Sequence, residues 1–338
     1  PENVGEVAAI DHTYYTTLAE AVNAAEDGDT IYIYDDVELS SDINAEKVLT
    51  FVGVTKSDGS KPTISSTNRG IFSQAGNAQY TLENLELEAT RDGQWYIYHD
   101  ADTLTIKNCD FTMADGVTYT GNVVMGDGSP ASDTDYALVF TDNTITANSR
   151  AALVGIGNNS VITGNDIDLI SEHHGTSNDR TSIMALTAEA GKGKVTITGN
   201  TFRNANRALA VDNSTLDAGD LTYSENKFIN VRYAFELDPE KNADQGVFDL
   251  NYNYYEFNGT VSAPKIEDAS SDGSHFEDGE DSTEYVVTDK EESLVSNDVY
   301  YLRPSMNATD LNTYEPTVPT PHEITIANTA NGTVDTSL

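Results

Sequence analysis

The chain has 338 residues, with 56 Asp and Glu against 18 Lys and Arg, for a formal net charge of −38. Affinity for phosphate comes from Lys and Arg, so this balance excludes nucleic acid as a partner. No apolar run approaches the ~18 residues of a membrane span, which excludes membrane insertion.

The first element is a helix. "TTLAEAVNAAEDGDT" has Thr17 three residues before Glu20, the pattern of a capping box, then an Ala/Leu/Val stripe that stops at Asp27-Gly28. Residues 1–27 are read as an N-terminal segment with this capping helix. From residue 28 the pattern changes to short β-branched and aromatic runs bounded by Gly, Asn and Asp. "TIYIYDDVELSSDI" and "KVLTFVGV" are the earliest of them. A recurring Asn then follows a β-rich run at Asn84, Asn108, Asn143, Asn165, Asn200, Asn226 and Asn251, with separations of 24, 35, 22, 35, 26 and 25. Six of the eight Arg keep a second phase, each before another apolar run: Arg69, Arg91, Arg150, Arg180, Arg207 and Arg232.

One repeat therefore reads strand, turn, strand, Asn turn, short strand, turn. Alternation puts one side of each strand inward, and no three-strand coil can bury that side alone. Stacking coils ~4.8 Å apart does bury it. An Asn once per coil suits a side-chain ladder and tolerates left-handed backbone. The fold class is all-β: a right-handed parallel β-helix over 28–262, with an N-terminal helical cap and a C-terminal β cap. Cys109, the sole cysteine, is expected to be a buried small hydrophobe and cannot form an internal disulfide. After the repeat fades, 263–312 reads as an acidic Gly/Ser-rich loop and the C-terminal cap. Residues 313–323 ("TYEPTVPTPHE") read as a Pro/Thr linker. Residues 324–338 read as the start of a following β module, so the chain belongs to a larger multi-domain protein.

The coil period, the Asn turn and the Gly-Asn-x-Phe phrase resemble the pectate-lyase-like superfamily of parallel β-helix proteins, over about residues 28–255. The last fifteen residues resemble small β-rich repeats of Gram-positive surface proteins, which implies an extracellular, wall-attached location. Enzymes of the superfamily work on the outer face of one strand stack walled by long turns. That resemblance points to the strands after each Arg, between the enlarged turns 112–121 and 169–179. Pectate lyases carry a W-x-D-H type segment and polygalacturonases carry G-H-G and R-I-K. None of these is clear here, so no catalytic residue is carried over.

The residues themselves suggest candidates. Arg150, Arg180, Arg207 and Arg232 could form one row of guanidinium forks for acidic sugars, or pair with neighbouring acids. Asp212 in one coil should face Glu236 or Asp238 in the next, about 5 Å away, a spacing that suits a retaining glycosidase or Ca²⁺. His173 and His174 sit in the second enlarged turn and could serve in acid/base chemistry. Tyr96, Tyr98 and His99 would face outward if Trp95 and Ile97 face inward, and outward Tyr suits sugar stacking. Three readings follow. The foremost is an adhesin-like module that binds glycan or a host protein. The second is a glycoside hydrolase or polysaccharide lyase. The third is a spacer, which would have no need of walls. No cofactor is required, with Ca²⁺ the one candidate.

Overall fold

The computed structural model describes residues 5–100, 103–126, 137–149, 151–170, 182–211, 214–237, 253–256 and 265–268. Their strands wind as successive coils with three faces. The first face is a ten-stranded sheet. The second and third faces belong to one fifteen-stranded sheet, because the long strands Thr201–Ala210 and Lys227–Leu237 run through the corner that separates them in earlier coils. Pairing between coils is parallel throughout. Among the described residues the single antiparallel element is the hairpin Ala8–Ile10 and Thr13–Tyr15, which extends the first face at its start.

Each face keeps strict register. On the first, an outward row of β-branched residues runs Thr30, Thr50, Thr81, Thr105, Val139, Val161, Thr196 and Thr222. Such side chains suit a pleated, half-buried surface, which explains the "T-x-T"-like runs. On the third, the inward row is Phe72, Ile97, Val124, Leu153, Met184, Leu209 and Phe235, all buried.

The corner between the first and second faces is held by amides. Asn143, Asn165, Asn200, Asn226 and Asn253 are buried in one column. The side-chain oxygen of Asn165 accepts from the Asn143 backbone N–H at 2.8 Å, and its Nδ2 donates to the Phe140 carbonyl and to Oδ1 of Asn200. Asn200 repeats this toward Asn226, and Asn226 toward Asn253. The preceding residue turns the chain in left-handed conformation: Asp142, Gly164, Gly199 and Glu225.

Asn84 and Asn108 belong to that preceding position and not to the buried column. Both have positive φ, and Asn108 Nδ2 donates to Asn84 Oδ1 on the exposed side. The buried column there continues as Leu85 and Cys109, and the Cys109 N–H donates to Asn143 Oδ1. The earlier coils are filled by rings instead. Phe51 packs edge-on against Phe72 and Tyr80, with centroids 5.2 and 5.5 Å apart. Cys109 is fully buried, and burial pushes its thiol up to about 12.

The helix Leu18–Ala24 packs Leu18, Ala21 and Val22 into the start of the core. Both capping-box bonds between Thr17 and Glu20 are present. Lys47 Nζ donates to the carbonyls of Val22, Asn23 and Ala25 at the other end, where cations suit the helix dipole. The third face continues beyond residue 262: Lys265–Asp268 pairs with Lys227–Leu237, inside the stretch expected to be an acidic loop. The expected linker and following module lie outside the described residues.

Replacing Asn165 by Ala strands the Phe140 carbonyl and the Asn143 N–H in the interior. Urea unfolding should show a loss of about 2–4 kcal/mol, from two buried groups left unsatisfied. An equivalent change at exposed Asn108 should cost less than half as much.

Candidate functional site

The third face is the stack that follows each Arg, and its outward side carries the site. The outward row is Ser73, Tyr98, Met125, Val154, Ala185 and Ala210, and Glu236 holds the next register position. From Ser73 to Ala210 it holds no charged residue, in a chain of net charge −38.

Trp95, the sole tryptophan, stands at the edge of this row. The Arg69 guanidinium lies over its ring at 4.9 Å, and the Tyr98 ring lies 5.9 Å away. Trp95 and Tyr98 are half-buried and Arg69 is exposed. Gly70 creates the seat. A methyl group there would sit 1.9 Å from the indole Nε1, so only glycine lets the ring lie against the coil below. The backbone under the platform is fixed by Gln94, whose buried amide donates to the Ser66 and Asn68 carbonyls and accepts from the Thr90 N–H.

One wall is described. The enlarged turn runs from 114 to 123, two residues later than the sequence pattern suggests, because Thr112 and Met113 complete the strand Asp110–Met113. Asp92 accepts hydrogen bonds from the Thr118 N–H and hydroxyl, and the backbone bond from Thr118 holds its carboxyl below the usual range. Asn148 Nδ2 donates to the Thr118 carbonyl from the following coil. The wall is thus tied to the coils on both sides, and Tyr119 projects from it, 53% exposed. Most of the second enlarged turn, with His173, His174 and Arg180, lies outside the described residues, as do Arg150, Asp212 and Asp238.

Several expected positions are corrected. Tyr96 is not outward. It is fully buried, donates from its hydroxyl to the Thr112 carbonyl and packs on Phe111, and burial raises its phenol well above the ordinary value. The reason is the corner. Residues Ile71, Tyr96, Val123, Ala152, Ile183 and Ala208 all fill the bend just before the strand, so the two-residue alternation starts only at Ile97. Trp95 is consequently out, Tyr96 and Ile97 are in, and Tyr98 is out. His99 is inward and buried, opposite Gln74 and Gly126.

Arg207 does not stand on an exposed row. It is 2% exposed and pairs in register with Ser182 and Tyr233. Arg232 lies one residue before the Arg207 register position, Tyr233, on the next strand. Glu236 occupies the register position between Ala210 and Glu267 on the adjacent strands. Among the described residues no group of three or more His, Cys, Asp and Glu is placed to hold a metal ion. The sequence pattern missed Trp95 and Arg69 as site members. The signal was there in "RG" and "QW", which occupy the same register in adjacent coils.

With this geometry in place, the comparisons are short. Residues 69–253 match the family described as the right-handed β-helix region, more than half of the chain. The chain belongs to that family. It is also similar to a PL6 family alginate lyase, AlyGC, at 14% identity and a TM-score of 0.43, over 74% of this chain. It spans 37% of the length of that lyase. No curated protein matches it.

Burial holds the His99 imidazole down, at about 4, against an ordinary 6.5. The unfolded chain then binds the extra proton between these values. Stability present above pH 6.5 should fall as pH drops toward 4, by about 3 kcal/mol in full. Urea unfolding at pH 7.0 and 4.5 checks this: His99→Gln should remove roughly 2–3 kcal/mol of the acid-induced loss.

Proposed function

We propose that this β-helix is a polysaccharide-binding module, adhesin-like, carried outside the cell as part of a larger protein. Its contact surface is the outer side of the third face. The observation that carries this reading is the Arg69–Trp95–Tyr98 platform, its two rings half-buried at the head of a row that carries no charge from Ser73 to Ala210. A sugar ring offers an apolar C–H face to such rings while its hydroxyls stay in water. The guanidinium stacks over the Trp95 ring and brings hydrogen-bond donors to the platform. The anchored wall at 114–123 and the protruding Tyr119 border the same surface. From Ser73 to Ala210 the row carries no carboxylate, and this supports a binding surface.

The second reading is a glycan-cleaving enzyme, and one observation favours it. Glu236 and Glu267 share one register position on adjacent strands of the third face. Adjacent strands are ~4.8 Å apart, close to the spacing of the two carboxyl groups in retaining glycosidases. These residues lie five strand spacings and more from Tyr98 along the stack.

The test is a panel of host and plant polysaccharides, followed by calorimetry, by Trp95 emission and by release of reducing ends or unsaturated uronates with and without Ca²⁺. The expected result is binding without product. Trp95→Ala should weaken it at least about tenfold, as for a buried aromatic anchor. Gly70→Ala should do nearly the same by unseating the indole. Product release that disappears in Glu236→Gln would instead establish the enzyme.

A further inference from the structure

A second aromatic cluster lies on a different face, at the N-terminal start of the solenoid, two coils before Trp95. Tyr14, Tyr32 and Tyr34 are 43%, 39% and 37% exposed, three of the six large hydrophobic side chains exposed among the described residues. Register explains how they meet. Ala9 pairs with Tyr14 on one side and with Tyr32 on the other, so the three residues form one outward row across the hairpin and the first coil. Ala9 is fully buried although it faces outward, as a methyl group flanked by two large neighbours would be. Tyr34 closes the patch, its ring 6.1 Å from Tyr14 and tilted by 39°. Partial desolvation raises the Tyr34 phenol, and Tyr14 and Tyr32 add to it. Among the described residues the three hydroxyls make no hydrogen bond, so all three remain available.

These rings do no core work: their exposure leaves much of their apolar surface in water, where it costs stability. A patch of clustered aromatic surface on a soluble protein marks contact with something. The chain's charge restricts what that is. At −38, a second copy and acidic polymers are both repelled. The patch itself is uncharged, with ring faces for an apolar surface and phenol groups beside them for hydroxyls. We propose that Tyr14, Tyr32 and Tyr34 form a separate stacking site for uncharged pyranose chains. The site is independent of Trp95, and the inference holds whether or not the third face binds sugar.

Because Trp95 is the sole tryptophan, the two sites can be read separately. The chain is labelled with 3-fluorotyrosine, and the ¹⁹F resonances of the three residues are assigned with single Tyr→Phe variants. Cellohexaose, laminarihexaose, mannohexaose and xylohexaose are titrated in turn, with Trp95 emission recorded alongside. The expected result is that the three resonances shift together with at least one of the sugars. Tyr14→Ser should weaken that response by between about twofold and tenfold, the worth of one ring contact. Tyr14→Ser combined with Tyr34→Ser should abolish it, with Trp95 emission and melting temperature unchanged. If the double variant fails to fold, the single variant, checked by melting, decides. Resonances that stay still with all four sugars, or shifts that survive the substitutions, would overturn the site. Shifts that track protein concentration without sugar would assign the patch to self-association instead.

Discussion

The buried amide column at the first corner is the constraint from which the rest of the structure follows. Each Asn side chain from Asn143 to Asn226 accepts from one coil and donates to its neighbours, so a slip of one residue would break several interior bonds at once. Inside the protein such bonds are strong when complete and costly when left unmade. Fixing that corner fixes where each second-face strand begins, and hence which residues of the third face point outward. The column does not run the full length. Where Leu85 and Cys109 replace Asn, the core is instead interlocked by Phe51, Phe72, Tyr80, Tyr96 and Phe111. The Trp95 platform therefore stands over the ring-packed coils, and Glu236 and Glu267 belong to strands that follow the amide-packed ones.

Charge is distributed by face. The second face carries many of the acids on its outer side, with Glu86, Asp110 and Asp166 along one row and Glu88 and Asp168 along the next. Some are neutralised locally: Lys61 meets Asp110 at 2.8 Å and Arg203 meets Asp166 at 2.8 Å. Others are crowded. Partial burial raises the Glu88 carboxyl, with Glu86, Asp115 and Asp36 adding to it. Such a surface keeps copies apart and repels polyanions. Against it, the two aromatic patches stand out as places free of carboxylates, the Trp95 one carrying the Arg69 guanidinium.

Much of this was legible in the sequence because solenoid coils repeat their own errors and their own successes. The strand period, the capping box and the stack after each Arg could all be read from spacing. What spacing could not show was phase. Asn84 and Asn108 look like Asn143 in a list of β-run endings, yet they sit one residue earlier on the turn, since Leu85 and Cys109 also satisfy an interior position. Alternation likewise fails at a bent corner, where Ile71 and Phe72 or Tyr96 and Ile97 are buried in succession. That single failure turned Tyr96 inward and brought Trp95 out. Arg207 was misplaced for the same reason: an Arg before an apolar run can begin the strand's inner or outer side depending on one residue.

The most direct test of the account is a crystal structure of the chain with a bound oligosaccharide selected from the binding panel. The prediction is a sugar ring stacked on Trp95 beside Tyr98, with Arg69 at its edge and the chain running over Met125 and Val154. A sugar seated instead across Glu236 and Glu267, with the Trp95 platform bare, would contradict it.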